Sequence, residues 1–114
     1  MAIARGRLFG CPVELALTVL GGKWKTILIA RLKSGPMSYS EIRRTVPGLA
    51  DKVLTQRLRD LERDGLIARS TAPKRGGYML TPQARSLKPA LEALYAWGEE
   101  EASRKGVRFR DFGK

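Results

Sequence analysis

The chain has 114 residues, of which 43% are hydrophobic and 29% charged, a balance that predicts one folded domain and excludes a disordered chain. Lysine and arginine total 22 against 11 acidic residues, and the net charge of +11 favours a polyanionic partner, with nucleic acid the first candidate. Histidine is absent, cysteine occurs once and no apolar run approaches the ~20 residues that span a bilayer, which argues against an enzyme, a metal or cofactor site and a membrane protein.

Two short helices are predicted in the first third of the chain, after a flexible arm of residues 1–10. Pro12 to Leu20 forms the first helix, because proline is tolerated at a helix start and Gly21-Gly22 ends the segment. Trp24 to Leu32 forms the second helix, which ends at Ser34-Gly35-Pro36. Its apolar residues have the spacing of a stripe that faces a core.

A helix-turn-helix is predicted between Ser38 and Gly65. Ser38 followed by Glu41 is a capping-box pattern that starts one helix. Pro47-Gly48 then interrupts the chain, because proline disfavours helix at the preceding residue and glycine permits turn geometry. A second helix runs from about Asp51 to Asp64, and Gly65 closes it as a C-cap.

The second of these helices has two chemically different faces. Leu54, Leu58 and Leu61 lie at i, i+4 and i+7 and are expected to face a core. The opposite face carries cationic and amide side chains: Lys52, Gln56, Arg59 and Arg63. Such side chains contact base edges in a major groove or the phosphates beside it, although a plain solvated helix face has the same composition. The elements that follow favour DNA binding.

A β-hairpin with a basic turn is predicted immediately after this helix. Leu66 to Thr71 and Tyr78 to Leu80 are the candidate strands, and the residues between them have turn chemistry. Lys74 and Arg75 fall at the tip, where a wing beside a basic helix touches phosphate or the minor groove. Two helices followed by such a hairpin have the order of a winged helix-turn-helix.

The longest helix is predicted from Pro82 to about Ser103, with Thr81 as its N-cap and Pro89 as a kink inside it. Four apolar side chains near one face of this helix are candidates for a dimer interface: Leu87, Leu91, Leu94 and Tyr95. Because this face exceeds what a small core covers, a homodimer is expected, and packing against its own domain is the alternative. Residues 104–114 are predicted to be a basic tail beyond a domain of residues 11–103.

Three segments, CPVELALTVLGGKW, VPGLADKVLTQRLRDLERDGLI and YMLTPQA, give the chain a resemblance to the HxlR-type family of bacterial winged-helix transcriptional regulators. The similarity covers roughly Cys11 to Trp97. It implies a dimeric DNA-binding regulator in which the helix beginning near Asp51 enters the major groove. The hairpin would be the wing, and the first and last helices would build the dimer. The expected fold is mainly α with a small β-hairpin, an α+β winged helix-turn-helix with N- and C-terminal dimerisation helices.

Two features depart from the pattern of that family. Ala50 stands where members usually have a polar residue that caps the helix, so the helix start is less firmly capped. The wing is shorter and lacks the usual Pro-Pro-Arg-Val-Glu-Tyr run, so detailed wing contacts do not transfer to this chain.

Cys11 occupies the position where members of the family commonly have a cysteine, which in some members senses oxidants or electrophiles. A helix N-terminus and nearby cations favour the reactive thiolate, and Arg5 and Arg7 precede Cys11 in the sequence. A small buried hydrophobe is the alternative role. With one cysteine per chain, a redox switch requires an intersubunit disulfide or an adduct with a small thiol.

The pattern as a whole predicts a cytoplasmic, homodimeric transcriptional repressor that binds a palindromic double-stranded DNA operator and responds to an oxidant or small-molecule effector through Cys11. The alternative is a winged-helix module that binds a protein or structured RNA. The predicted groove contacts are Lys52, Thr55, Gln56 and Arg59. The predicted phosphate and wing contacts are Ser38, Ser40, Arg43, Arg44, Arg63, Lys74 and Arg75.

Overall fold

The computed structural model describes residues 6, 8–21, 24–70 and 77–109. Its helices and strands follow the chain as α1 (Pro12–Leu20), α2 (Lys25–Leu32), α3 (Tyr39–Thr45), α4 (Asp51–Arg63), β1 (Ile67–Arg69), β2 (Tyr78–Leu80), α5 (Pro82–Arg85) and α6 (Lys88–Lys105). The predicted mainly helical architecture with a small antiparallel hairpin is confirmed. The order of α2, α3, α4 and the hairpin is that of a winged helix-turn-helix.

The first helix of the helix-turn-helix, α3, begins with the capping box that its sequence predicts. The Ser38 hydroxyl accepts a hydrogen bond from the Glu41 N–H at 3.1 Å, and the Glu41 carboxylate accepts one from the Ser38 N–H at 2.8 Å. These bonds satisfy N–H groups that have no partner inside the helix. After α3, Gly48 adopts a left-handed φ of 87°, which the turn before α4 requires.

The second helix, α4, has an uncapped start and a firmly closed end. Ala50 is its N-cap residue and supplies no side-chain hydrogen bond, as the sequence predicts. At the other end the Gly65 N–H donates to the Glu62 carbonyl at 3.1 Å, and the Leu66 N–H donates to the Leu61 carbonyl at 2.9 Å. This pair of bonds is a Schellman motif, for which Gly65 provides the left-handed φ of 80°.

The hairpin is short and is joined to the segment before α3. β1 and β2 pair antiparallel with Ile67 opposite Leu80, and Met37 forms a further bridge to Tyr78. At Gly77 an added Cβ would lie 2.6 Å from the Met37 carbonyl oxygen, so the close approach of these two segments requires glycine.

The structure describes the predicted wing only in part. β1 is shorter than the predicted strand from Leu66 to Thr71. The Ser70 N–H still donates to the Gly77 carbonyl at 2.7 Å, so pairing extends beyond the strand itself. The predicted tip residues Lys74 and Arg75 lie outside the described residues.

The core is built from the apolar faces of α2, α3 and α4, with the hairpin against it. Leu54, Leu58 and Leu61 of α4 are at most 1% exposed, which confirms the prediction that they face the core. They belong to one cluster with residues of the other elements: Leu28, Leu32, Ile42, Val46, Ile67 and Leu80. α4 is therefore anchored by one side, and its opposite side lies at the surface.

The prediction of a single helix from Pro82 to about Ser103 is wrong. The chain forms two helices, because α5 ends at Arg85 and α6 begins at Lys88. Pro89 lies in the first turn of α6 and is not an internal kink. Inside a continuous helix, Pro89 would lack an N–H to donate and its ring would collide with the carbonyl of Arg85.

Both ends of this C-terminal region carry recognisable capping signals. The Thr81 hydroxyl accepts from the Ala84 N–H at 3.2 Å, which confirms the predicted helix start. α6 continues to Lys105, beyond the predicted domain boundary, and Gly106 ends it with a φ of 67°. Within the described part of the chain, no helix is both long enough and apolar enough to cross a membrane.

Candidate nucleic-acid interface

α4 presents a polar, mainly cationic face to solvent on the side opposite its leucines. Four side chains that the sequence placed together on this face are exposed: Lys52, Gln56, Arg59 and Arg63. Thr55 is half-buried at the edge of the face. Because an α-helix fits the width of the major groove of DNA, this surface is the candidate for contacting bases.

A polar junction between α3 and α4 fixes the start of α4. The Tyr39 hydroxyl donates to the Asp51 carboxylate at 3.0 Å and lies 3.4 Å from the Thr55 hydroxyl. The same carboxylate forms an ion pair with Arg43, whose Nε lies 2.5 Å away. Two of the predicted DNA contacts, Arg43 and Thr55, are thus engaged within the protein. Sequence analysis missed Tyr39, since its partners lie in another helix.

Gln56 is held by an acid to which the sequence analysis assigned no role. Gln56 Nε2 donates to Asp60 Oδ1 at 3.0 Å, and Asp60 is only 3% exposed. Arg57 and Arg63 each place a guanidinium nitrogen near the same carboxylate, at 3.8 and 4.0 Å. Burial favours the neutral acid, but interactions that favour the carboxylate, with the hydrogen bond from Gln56 the largest and the positive charge of Lys25 the smallest, outweigh it, so the pKa of Asp60 is lowered. Asp60 is therefore a buried, ionised carboxylate.

A second charged side chain, Lys25, is buried at the start of α2 and contributes a minor part of the lowering of the Asp60 pKa. Lys25 is 3% exposed, and its Nζ donates to the Val19 carbonyl oxygen of α1 at 3.2 Å. This hydrogen bond connects the start of α2 to α1. The i, i+4 spacing of Gln56 and Asp60 signals their contact in the sequence.

Three of the remaining predicted phosphate contacts belong to α3 or its N-cap, and Lys74 and Arg75 of the predicted wing lie outside the described residues. Ser40 and Arg44 are exposed on α3, while the hydroxyl of Ser38 serves as the helix cap. In the hairpin, the Arg69 guanidinium lies over the Tyr78 ring, 4.7 Å from its centroid. The structure thus leaves Ser40 and Arg44 facing solvent beside the start of the helix-turn-helix, and their contact with phosphate stays a prediction.

Large apolar side chains are also exposed on α1 and on the middle of α6. No residue of α1 is buried, and Val13 and Leu17 are 63% and 61% exposed. On α6, the predicted interface residues Leu94 and Tyr95 are 56% and 71% exposed, and Trp97 beside them is also exposed. Apolar side chains concentrated in this way are typical of a surface that another molecule covers.

The other two predicted interface residues, Leu87 and Leu91, are partly buried against the core of their own domain. Leu91 also lines a groove of about 610 Å³ between α2, α5 and α6. Ile29 and Tyr95 contribute to the wall of the same groove. The exposed apolar surface of α6 is therefore continuous with the groove beside the core.

Cys11 is exposed and is the N-cap residue of α1. Its carbonyl oxygen accepts from the Glu14 N–H at 3.0 Å, while its side chain makes no capping hydrogen bond. The thiol is therefore not buried in the core of its own chain. Arg5 and Arg7, which were expected to act on the thiol, lie outside the described residues.

Known proteins are similar to this chain in both sequence and fold. A family model for the HxlR-like helix-turn-helix matches residues 19–106. An uncharacterized HTH-type transcriptional regulator of Methanothermobacter thermautotrophicus is 42% identical over 92 residues, which cover 78% of this chain and 70% of the relative. The uncharacterized HTH-type transcriptional regulator YdeP of Bacillus subtilis is 41% identical over 98 residues, which cover 83% and 77% of the two chains.

Solved structures of three regulators resemble the chain over most of their length. A putative HTH-type transcriptional regulator, ytcD, has a TM-score of 0.74 and 40% identity, and the match covers 82% of this chain and 98% of that one. The redox regulator HypR in its oxidised form has a TM-score of 0.70 and 36% identity, with coverage of 89% and 99%. Quinone-bound YodB of B. subtilis has a TM-score of 0.71 and 31% identity, with coverage of 79% and 99%. The chain therefore belongs to the HxlR-like helix-turn-helix family of DNA-binding transcriptional regulators.

Proposed function

We propose that the protein is a homodimeric transcriptional repressor that binds a palindromic operator with α4 of each subunit in the major groove. The observation that carries the proposal is the outer face of α4, where Lys52, Gln56 and Arg59 are exposed while leucines anchor the opposite side in the core. Two such helices would enter successive major grooves about 34 Å apart, one helical turn along the duplex. Ser40 and Arg44 would contact phosphates beside each groove.

Selection of duplexes from a random pool by the full-length protein tests this proposal. The recovered sequences should contain two inverted half-sites with centres about 10 base pairs apart. Removal of the protein from its source cells should raise transcription of the gene beside the operator. Preferential binding of a structured RNA over the recovered duplex, in competition at matched salt, would contradict the proposal.

Base and phosphate contacts should respond differently to substitution. Gln56→Ala should change which base is preferred, whereas Arg44→Ala should weaken binding to every duplex and reduce the slope of log affinity against log salt by about one. Lys105→Ala is a matched control, because it removes a cation from α6 that pairs with Glu101. If the Gln56 and Arg44 variants behave alike, the proposed division between base and phosphate contacts is wrong.

The dimer is proposed to form through α1 and α6. Val13, Leu17, Leu94 and Tyr95 leave apolar surface in water that a second copy of the chain would bury. Leu94→Glu should therefore shift the protein towards monomer in sedimentation velocity. Ser103→Glu introduces the same charge at an exposed polar position of α6 and should leave the dimer intact. A Leu94→Glu protein that remains fully dimeric would refute this interface.

Cys11 is proposed to respond to oxidants or electrophiles. The proposal is supported by its exposure at the start of α1 and by the similarity to oxidised HypR and quinone-bound YodB. A quinone would add to the thiolate with formation of a C–S bond and uptake of a proton, which yields the hydroquinone thioether. Because α1 belongs to the proposed dimer surface, the adduct would change the spacing of the two α4 helices. Treatment with benzoquinone should alter DNA binding by the wild type and not by Cys11→Ser, and equal responses would end the proposal.

A further inference from the structure

Asp60 is an acid at the edge of a helix face whose other side chains are mainly cationic. It follows Gln56 by one helical turn, yet it is 3% exposed, whereas Gln56 lies at the surface. Its carboxylate accepts from Gln56 Nε2 at 3.0 Å and is flanked by the guanidinium groups of Arg57 and Arg63. A carboxylate buried in this way is directed towards side chains of its own helix.

The carboxylate determines which end of the Gln56 amide faces it. An ionised carboxylate can only accept hydrogen bonds, so the amide turns its NH₂ group towards Asp60 and its carbonyl oxygen away. A glutamine without such a partner would sample both amide orientations and several rotamers. One N–H of Gln56 is thus engaged, and one N–H donor and one carbonyl acceptor remain. A donor and an acceptor are the pair with which glutamine binds N7 and the N6 amino group of adenine in the major groove.

The position of Asp60 is fixed by its burial and by its own helix. Its side chain is 3% exposed, and Arg57 and Arg63 of α4 place guanidinium nitrogens 3.8 and 4.0 Å from its carboxylate. Because these residues all lie on α4, the carboxylate keeps its place relative to Gln56 when the helix moves as a unit. Gln56 therefore has a partner that is expected to stay in place when the outer face of α4 meets a duplex.

We infer that Asp60 is a positioning residue for base contacts: its buried carboxylate orients the Gln56 amide to bind adenine, and Asp60 itself does not touch DNA. The inference rests on the proposed entry of α4 into the major groove. Beyond that proposal, it names adenine as the base that Gln56 selects and Asp60 as the residue that makes Gln56 selective. It predicts that loss of Asp60 reproduces the change in base preference caused by loss of Gln56.

The test uses the full-length protein, the duplex recovered from a random pool and all single-base-pair variants of that duplex. The measured quantity is the ratio of dissociation constants between two duplexes that differ at one base pair. A lower folded fraction weakens binding to every duplex by the same factor, so this ratio reports positioning and is insensitive to stability. The variants are Gln56→Ala, Asp60→Leu, Asp60→Asn and the double Gln56→Ala/Asp60→Leu. Glu62→Gln is the matched control, because it removes another carboxylate of α4, one that pairs with Arg69.

Gln56→Ala should reduce the preference for adenine at one position of each half-site by about tenfold, within the range of a bidentate contact. Asp60→Leu should reduce it at the same position by a similar factor, and the double variant should lose no more than either single variant. Asp60→Asn retains an acceptor oxygen and should keep part of the preference, while Glu62→Gln should keep all of it. If Asp60→Leu does not fold, Lys25→Met/Asp60→Leu replaces it, because that pair of changes leaves no unpaired charge in the core.

Retention of the wild-type ratio by Asp60→Leu, at the position that Gln56→Ala alters, would overturn the inference. A recovered duplex whose base preferences do not respond to Gln56→Ala would also overturn it, although the proposed DNA-binding function would stand. Failure of the wild-type protein to enrich any duplex would contradict the proposed function itself, and the inference with it.

Discussion

A side-chain cap added to α4 should stabilise the protein. Ala50 has φ of −67° and ψ of 146°, the extended conformation of an N-cap residue, but it offers no hydrogen-bond acceptor on its side chain. Ser38 and Thr81 have similar backbone angles and cap α3 and α5, accepting from the third helical N–H at 3.1 and 3.2 Å. The hydroxyl introduced by Ala50→Ser would accept from the Val53 N–H in the same way, without a change in the backbone.

The expected gain in stability can be judged from the caps that Ser38 and Thr81 already provide. Ala50 is exposed, so the substitution disturbs no packing, and a single cap of this kind contributes about 1 kcal/mol to the free energy of unfolding. For a domain of this size, that corresponds to an increase of roughly 4–8 °C in Tm. Urea denaturation and differential scanning calorimetry of the full-length protein measure both quantities. Ala96→Ser, the same change at an exposed position inside α6, should instead lower stability by about 0.5 kcal/mol.

An unchanged or lower Tm for Ala50→Ser would refute the reasoning. It would mean that the N–H groups at the start of α4 already have adequate partners, and that the junction of Tyr39 with Asp51 makes a cap redundant. A gain for both serine variants would also contradict it, because the benefit would then not depend on the cap position. The neutral hydroxyl adds no charge near the proposed DNA surface, so affinity for the operator should not fall.

Three further substitutions or conditions test other parts of the structure. Gly77→Ala should lower the free energy of unfolding in urea denaturation by about 1–3 kcal/mol, because its Cβ would meet the Met37 carbonyl oxygen at 2.6 Å. Gly98→Ala is the control and should not destabilise the protein, because nothing lies within 4 Å of the added Cβ. Tyr39→Phe removes a hydrogen bond of 3.0 Å to Asp51 and should cost about 0.5–1.5 kcal/mol in the same assay, with no loss if the bond is absent in solution. Because the pKa of Asp60 is lowered, its stabilising contribution is complete above the ordinary value of 3.8 and is lost as the pH falls through the folded value. The stability difference between the wild type and Asp60→Asn should therefore shrink in acid below that value, and a constant difference would contradict the assignment.

The elements that sequence analysis predicted correctly are those with local signals. The capping box of α3, the glycine that closes α4 and the Thr81-Pro82 start of α5 each depend on residues within one helical turn, and each is present in the structure. The leucine spacing of α4 predicted the buried side because a single helix determines it. The prediction of a single C-terminal helix is wrong because Pro89 starts a new helix instead of kinking a continuous one, while the apolar periodicity runs across the boundary.

The sequence does not show whether the partner of a predicted DNA contact is exposed or buried, so it could not distinguish Arg43 from Gln56. The ion pair of Arg43 with Asp51 lies in solvent, with the two side chains 52% and 62% exposed. Such pairs contribute only about 0–1 kcal/mol, so Arg43 can exchange its partner for a phosphate at little cost. The partner of Gln56 is only 3% exposed, so we expect this contact to persist when DNA binds. Arg43 and Gln56 thus look equivalent in the sequence but are suited to different contacts. The guanidinium of Arg43 can leave Asp51 to bind a phosphate, whereas the amide of Gln56 is held in one orientation that suits a base.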